Sequence, residues 1–423
     1  MSFIIDKSKI SSILPEIMTI YSTYDMKGVI FLSNSTLNML GGKICFNKCI
    51  NNSYIYSNEN STNNDTENTY AVYQRCLGTA IYADYISKVY LRKGEISNNI
   101  AENNAKINLI TPKEGKKTKL SAIYHSINGS AIYGYYCFFE IFDDFLIENI
   151  SSKLNSTINI NENCSVSGSV NNGIEGGQLY LYLSKIKING GIIKNSNNVR
   201  KLTSNISPDE NGDTKSVFGY IYGGAMYIFQ CKNFEINNLK INKCKSDYKG
   251  GAIYFNYSTG KVNNSEFSYD ISAFGGAIYC TDTCNVLLYN TKILNNSTEG
   301  GSGGGIYAYG ELTIDGEKSN ISNNVAETYG GGIMIKTKAK INNCIICNNK
   351  ASKNSGGGIN VDGELTLNNA KIYKNWCNQR GGGIRHEDPN SKHIYHKDKI
   401  KNIVYNNKAN EKGNDIFPEL EEV

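Results

Sequence analysis

Residues 250–280 read GGAIYFNYSTGKVNNSEFSYDISAFGGAIYC. The stretch opens and closes on one pentapeptide, Gly-Gly-Ala-Ile-Tyr, and between the two copies Phe267 begins the tetrapeptide FSYD. The same glycine motif recurs as GGAMY at Gly223, GGGIY at Gly303, GGGIM at Gly330, GGGIN at Gly356 and GGGIR at Gly381. From each start to the next the step is 27, 25, 28, 27, 26 and then 25 positions. So narrow a period, sustained over seven copies, marks a repeat architecture in which each unit buries its apolar face only against its neighbours.

Each period holds two further pieces. An apolar-x-apolar segment comes first: Phe234 with Ile236, Val286 with Leu288, Leu312 with Ile314, Ala339 with Ile341, and Leu365 with Leu367. An Ile or Phe then recurs, followed three positions on by Asn in most copies, as at Ile293 (ILNN), Ile346 (ICNN) and Ile372 (IYKN). At Ile321 (ISNN) it arrives later, after an insertion at Gly316–Asn320. Three alternating segments within about 25–28 residues are too short for helices and fit strands. The expected fold is all-β: a right-handed parallel β-helix, three short strands per turn, with turns about 4.8 Å apart. Glycine supplies the corner where a side chain would clash or φ must be positive. The Asn closing I-x-x-N is expected to take left-handed angles and to stack its amide between turns.

Towards the N-terminus the motif is worn: GGKIC at Gly41, GTAIY at Gly78, GSAIY at Gly129 and GGQLY at Gly176. Their wider steps of 37, 51, 47 and 47 positions read mostly as two turns each, with Ile55, Ile96 and Ile192 as traces of the turns between. Asn58–Thr69, Pro112–Lys119 and Lys201–Lys215 read as extruded loops. The organisation is therefore a cap or first strands over 1–40, irregular turns over 41–215, regular turns over 216–385, and a polar cap or tail over 386–423.

Composition agrees with a repeated backbone. The 423 residues include 59 Asn, 41 Gly and 30 Tyr against only 5 Pro, and Pro cannot donate to a strand ladder. A hydrophobic share of 40% is too high for a disordered chain. The net charge of +5 is small for this length and gives no reason to expect nucleic acid as a partner. The chain has no apolar run long enough to cross a bilayer, so no transmembrane segment is expected. The start, MSFIIDKSKI, breaks its apolar run with Asp6, Lys7 and Lys9, unlike a signal peptide. The twelve cysteines lack zinc spacing, and the four histidines lie away from the cysteine pairs, so packing cysteines and no metal or other cofactor are expected.

The pairing of GGA-I with F/I-x-x-N resembles the repeat of the polymorphic outer membrane protein family of chlamydiae, and similar repeats in surface proteins of parasitic protists. The resemblance is clear over 216–385 and partial over 41–215. It implies a pectin-lyase-like β-helix, cell-surface or secreted location and adhesion, with a host-surface protein or glycan as partner. Members usually carry a signal peptide and an anchoring end, which this chain does not show.

Chemistry is sparse along the repeat. The position after the glycine motif carries Tyr227, Tyr254, Tyr279, Tyr307, Met334, Asn360 and Arg385 in successive turns, with no carboxylate. Paired carboxylates for glycoside hydrolysis, or a calcium-binding acidic cluster for a lyase, do not appear. Asp282 and Asp362 lie three turns apart. Asp143 and Asp144, being adjacent, would point to opposite faces of a strand. The varied cluster at Arg385–Asp388 with His393 and His396 reads as a polar end to the apolar column. The four tyrosines stand out instead, as a stacking ladder or an aromatic binding stripe. The expected function is a non-enzymatic, adhesin-like scaffold; a polysaccharide lyase or hydrolase and an intracellular interaction scaffold are the alternatives.

Overall fold

A computed structural model describes residues 4–13, 21–56, 68–109, 118–160, 164–166, 170–206, 219–387, 393–395 and 403–417. Every pairing between its strands is parallel and runs from one turn to the next, as a solenoid requires. The chain is a parallel β-helix. One sheet, the ladder sheet, has twelve strands among the described residues, one per turn, from Ile30–Ser33 to Ile416–Phe417. At the turn spacing this gives a rod about 50 Å long.

In the plain half, from Gly223 onward, each turn closes on three sides. Ile253–Asn256 belongs to the ladder sheet; Thr259–Asn263 and Glu266–Ser268 form the second side, bent at Asn264; the two-residue strand Ile271–Ser272 makes the third. Side chains alternate. Ile253 and Phe255 point into the core and are fully buried, as are Val262 and Phe267. At about 1.5–3 kcal/mol for each fully buried Ile, Leu or Phe, the stacked columns dominate stability.

The glycine pair has two distinct reasons. Gly250 has φ +67°, and a Cβ there would sit 2.3 Å from the Ile253 carbonyl oxygen. Gly251 has no such dihedral; its Cβ would meet the Gly276 oxygen at 2.2 Å and the Ile271 nitrogen at 2.6 Å. The first glycine makes the corner, and the second makes room for the third side.

The Asn of I-x-x-N does not combine the two expected roles. Two consecutive residues divide them. Asn295, Asn323 and Asn348 take the left-handed angles (φ 55 to 58°). Asn296, Asn324, Asn349, Asn375 and Asn407 stack instead, all of them buried. Each donates its backbone N–H and its Nδ2 to the Oδ1 of the next, at 2.9–3.0 Å, and its Nδ2 also reaches a core carbonyl such as Ile293 O (2.9 Å). Asp415 ends the row by accepting both donors of Asn407 at 2.9 Å.

The N-terminal half corrects the two-turn reading. Ile81 pairs directly with Ile132, and Leu179 directly with Met226, so each long period is a single turn. The extra residues form two long strands that leave the rod and return, which makes this the winged half. Lys48–Tyr56, Ile100–Leu109, Ser151–Ile160 and Asn197–Ile206 make one arm sheet together with Ile4–Ile13. Tyr21–Lys27, Asn68–Leu77, Thr118–Asn128, Val170–Glu175 and Ile221–Tyr222 make the other. The sheets face each other over a second core of Cys49, Ala101 and Leu154 against Cys76, Ile127, Ile174 and Ile221. Much of what reads as loop at 58–69, 112–119 and 201–215 lies outside the described residues; the remainder, including 68–69, 118–119 and 201–206, is arm strand.

Two smaller expectations also change. GGKIC at Gly41 is not a corner of the ladder sheet: Lys43–Cys45 lies on the second side, and the first corner is Gly28. Ile193, not Ile192, is the buried residue of its tetrapeptide; Ile192 is exposed because Gly190 and Gly191 shift the strand. Beyond Arg385 the rod continues for one more turn, with Gly413–Phe417 standing where a glycine motif would.

Candidate functional site: the aromatic face of the ladder sheet

Tyr227, Tyr254, Tyr279 and Tyr307 lie in register on the outer face of the ladder sheet. The column is longer than those four. It begins at Phe31, passes through Tyr82, Tyr133 and Tyr180, and after Tyr307 continues as Met334, Asn360, Arg385 and Phe417. The three added tyrosines are the last letters of GTAIY, GSAIY and GGQLY, so the worn motifs already carried them.

Neighbouring rings are 4.8–5.5 Å apart. From Phe31 to Tyr180 they stack flat, within 8° of parallel, and Tyr279–Tyr307 does the same at 11°. Tyr180 and Tyr227 meet edge-on at 89°, at the junction between the winged and plain halves. Stacking consumes the ring faces: Tyr82 to Tyr279 keep only 5–9% of their surface exposed. Burial raises the hydroxyl pKa of Tyr180, Tyr227, Tyr254 and Tyr279 above the ordinary phenol value, so they stay neutral donors and acceptors. Asn256 Nδ2 donates to Tyr227 Oη at 2.7 Å.

No family model, no curated protein and no solved structure matches this chain. The site is therefore read from its own chemistry.

A flanking column, the residue just before each corner glycine, supplies the charge. Lys27 Nζ lies 4.7 Å from the centre of the Phe31 ring and 4.5 Å from that of Tyr82. Lys249 Nζ lies 4.7 Å from Tyr248 and from Tyr279, and burial lowers its pKa. Arg385, from the aromatic column itself, covers Tyr329 at 5.5 Å. Between the two lysines sits Glu175. Desolvation pushes its carboxyl up to about 7, against the opposing pull of a 2.7 Å hydrogen bond from Asn128 Nδ2 and of Arg75. Tyr180, Tyr222, Tyr227 and Tyr254 all feel its charge. No sequence signal pointed to Glu175 or Lys249, because this column changes residue type from turn to turn.

The other singled-out acids do not converge. Asp143 and Asp144 are both exposed, since a bulge in Phe138–Glu148 defeats their alternation. Asp362 pairs with Lys336, and Asp282 is exposed three turns away. Arg385 and His386 part company: Arg385 lies outside, donating to Asn360 Oδ1 (3.2 Å) and pairing with Glu387, whereas His386 occupies an inward core position. Of the remaining cluster, Asp388 and His396 lie outside the described residues. Among the described residues no three His, Cys, Asp or Glu side chains are grouped to hold a metal ion, and no helix is long and apolar enough to cross a membrane.

No disulfide joins the eleven cysteines whose side chains are described, and ten of them are buried. Several alternate with serine in one corner column: Cys137 N–H donates to Ser184 Oγ, Cys231 N–H to Ser258 Oγ, and Ser258 N–H to Cys284 Sγ. The thiol stands in for a hydroxyl as a small acceptor. Burial pushes Cys137 up to about 11 and Cys231 up to about 12, away from reactivity.

Proposed function

We propose that this chain is a non-enzymatic β-helix scaffold with an adhesin-like binding role, its partner a host-surface protein or glycan. One observation carries the reading. The outer face of the ladder sheet, which a solvated sheet would fill with polar side chains, holds an aromatic column, unbroken from Phe31 to Tyr307 and flanked by Lys27 and Lys249. The likeness of its repeat to that of the polymorphic outer membrane proteins points the same way. The test has two arms: biotinylation of intact source cells, and binding of the purified chain to host cells. Labelling together with saturable cell binding is expected; absence of both overturns the reading.

Glu175 favours a second reading, a pectin-lyase-type lyase or hydrolase, since a carboxyl titrating near 7 can serve as a general acid. Depolymerisation of a polysaccharide by wild type and its loss in Glu175→Gln would establish it. The absence of disulfides among the described cysteine side chains favours an intracellular interaction scaffold, which the biotinylation arm tests.

A further inference from the structure

The turn that leaves the ladder sheet forms a convex corner along the rod, and on five consecutive turns its residues are Ile86, Tyr136, Leu183, Gln230 and Tyr257. Backbone bonds hold this corner from turn to turn, on the ridge residue or the one before it: Ile86 N–H donates to Tyr136 O (2.8 Å), Tyr136 N–H to Tyr182 O (2.9 Å), Leu183 N–H to Phe229 O (3.0 Å) and Gln230 N–H to Asn256 O (2.9 Å). With Tyr85 beside Ile86, the apolar members are 61, 65, 55, 38 and 52% exposed, reading Tyr85, Ile86, Tyr136, Leu183, Tyr257.

These five also have left-handed backbones, with φ between 46 and 63°. That conformation is costly for bulky L-residues and is a true outlier for β-branched Ile86. The chain knows the inexpensive solution. Of the 24 described non-glycine positions with positive φ, 14 are Asn and only seven are aromatic or aliphatic; five of those seven stand on this one corner. Exposure and backbone strain both work against the isolated fold here. Strain retained in this way marks function.

The rim of the ridge is basic. Lys88, Lys185 and Lys232 open the next strand on three of these turns; all are exposed, and no ion pair involves them among the described residues. Asp84, close to the ridge, is buried, and Glu140 further along is paired with Lys187 at 3.5 Å; the exposed Asp282 stands on the turn after Tyr257, at the end of the ridge away from the three lysines. A convex edge cannot enclose a chain-like ligand, but it can lie along a flat surface. Aliphatic Ile86 and Leu183 among tyrosines, rimmed by lysines, match the apolar boundary and negative charge of a lipid interface.

We propose that this ridge docks the rod lengthwise on an anionic membrane surface. The proposal goes beyond the aromatic face and uses a different surface, so cell binding through the ladder sheet and vesicle binding through the ridge can fail independently. The test is co-flotation of the full chain with vesicles of phosphatidylcholine, either pure or with roughly a third of the lipid replaced by phosphatidylserine. Salt is held at about 0.1 M, where the charges are screened beyond about 10 Å. Wild type is expected to float with the anionic vesicles and at least tenfold less with the neutral ones. Replacing the three lysines by Gln should weaken binding about 100-fold, at about 1 kcal/mol per lysine. The combined variant Ile86→Asn, Tyr136→Asn, Leu183→Asn, Tyr257→Asn should lose binding at least tenfold while its melting temperature holds or rises, because Asn suits the backbone. No flotation with anionic vesicles, undiminished binding by the Asn variant, or capture by soluble heparin without vesicle binding would each overturn it.

Discussion

The two halves of the rod share one ladder sheet and differ on their third side. In the plain half Gly303 follows Asn296 by seven positions; in the winged half Gly129 follows Asn99 by thirty. The excess, thirty less seven, comes close to one whole turn. That is why the winged spacings imitate skipped repeats. An arm that leaves and returns costs the chain almost the same length as a circuit of the core, and spacing alone cannot distinguish them. The second motif position could have done so at two of the corners. It is Gly in the plain turns from Gly224 to Gly382, where the short third strand leaves no space for a Cβ, and Thr79 or Ser130 where the chain goes out into an arm.

The sharpest way to break the comparison is to exchange that position. Gly251→Ser should cost about 3 kcal/mol or more, since backbone atoms stand within 2.6 Å of the new Cβ. Ser130→Gly in the winged half should cost about 1 kcal/mol. Urea unfolding of the two variants measures both; equal losses would mean that the third sides are packed alike.

Acid should separate the halves next. His125 lies buried in the arm core with Nδ1 3.2 Å from Ser156 Oγ, whose own proton goes to Asn172 Oδ1 (2.9 Å). Burial pushes its pKa down to about 3. The folded arm therefore resists the proton that the unfolded chain accepts near 6.5, and stability is lost as pH falls from there towards 3. At pH 5 the loss is about 2 kcal/mol. Amide exchange should show the arm strands opening at pH 5 while 253–361 stays protected. His125→Asn should remove the difference.

The plain half should respond in the opposite direction. Asp270 stands in the Asn row, accepting from Cys244 N–H (2.9 Å) through Oδ1, while its buried Oδ2 has no partner. Burial raises its pKa, so the fold holds a proton there and loses stability as pH rises above about 4. Asp270→Asn should stabilise the chain by about 1–2 kcal/mol at pH 7 and by nothing near pH 3. Thermal melts at the two pH values check this.

The smallest effect belongs to the aromatic column. Tyr227→Phe, which removes only the hydroxyl bonded to Asn256, should cost about 1 kcal/mol and leave the rod intact by circular dichroism.

Much of the fold was legible because the columns are periodic: Ile253 with Ile278, Phe267 with Ile293 and Tyr254 with Tyr279 are register partners one period apart. The site was legible only as far as it shared that period. Tyr82, Tyr133 and Tyr180 follow from it, whereas Glu175, Lys249 and the exposed ridge occupy positions whose residue type changes from turn to turn. Periodicity reports what every turn must do and says little about what one turn does alone.

The stacked amides of Asn296 to Asn407 all point one way, every donor toward the C-terminal end. Their dipoles add, so the row has a positive pole, and the Asp415 carboxylate sits on it. A rod wired in this manner has a direction of growth. A repeat unit duplicated anywhere between Asn296 and Asn407 would find both its acceptor and its donor already waiting, while Asp415, which accepts but has no side-chain amide to pass on, closes the row. Lengthening such a rod is a local edit.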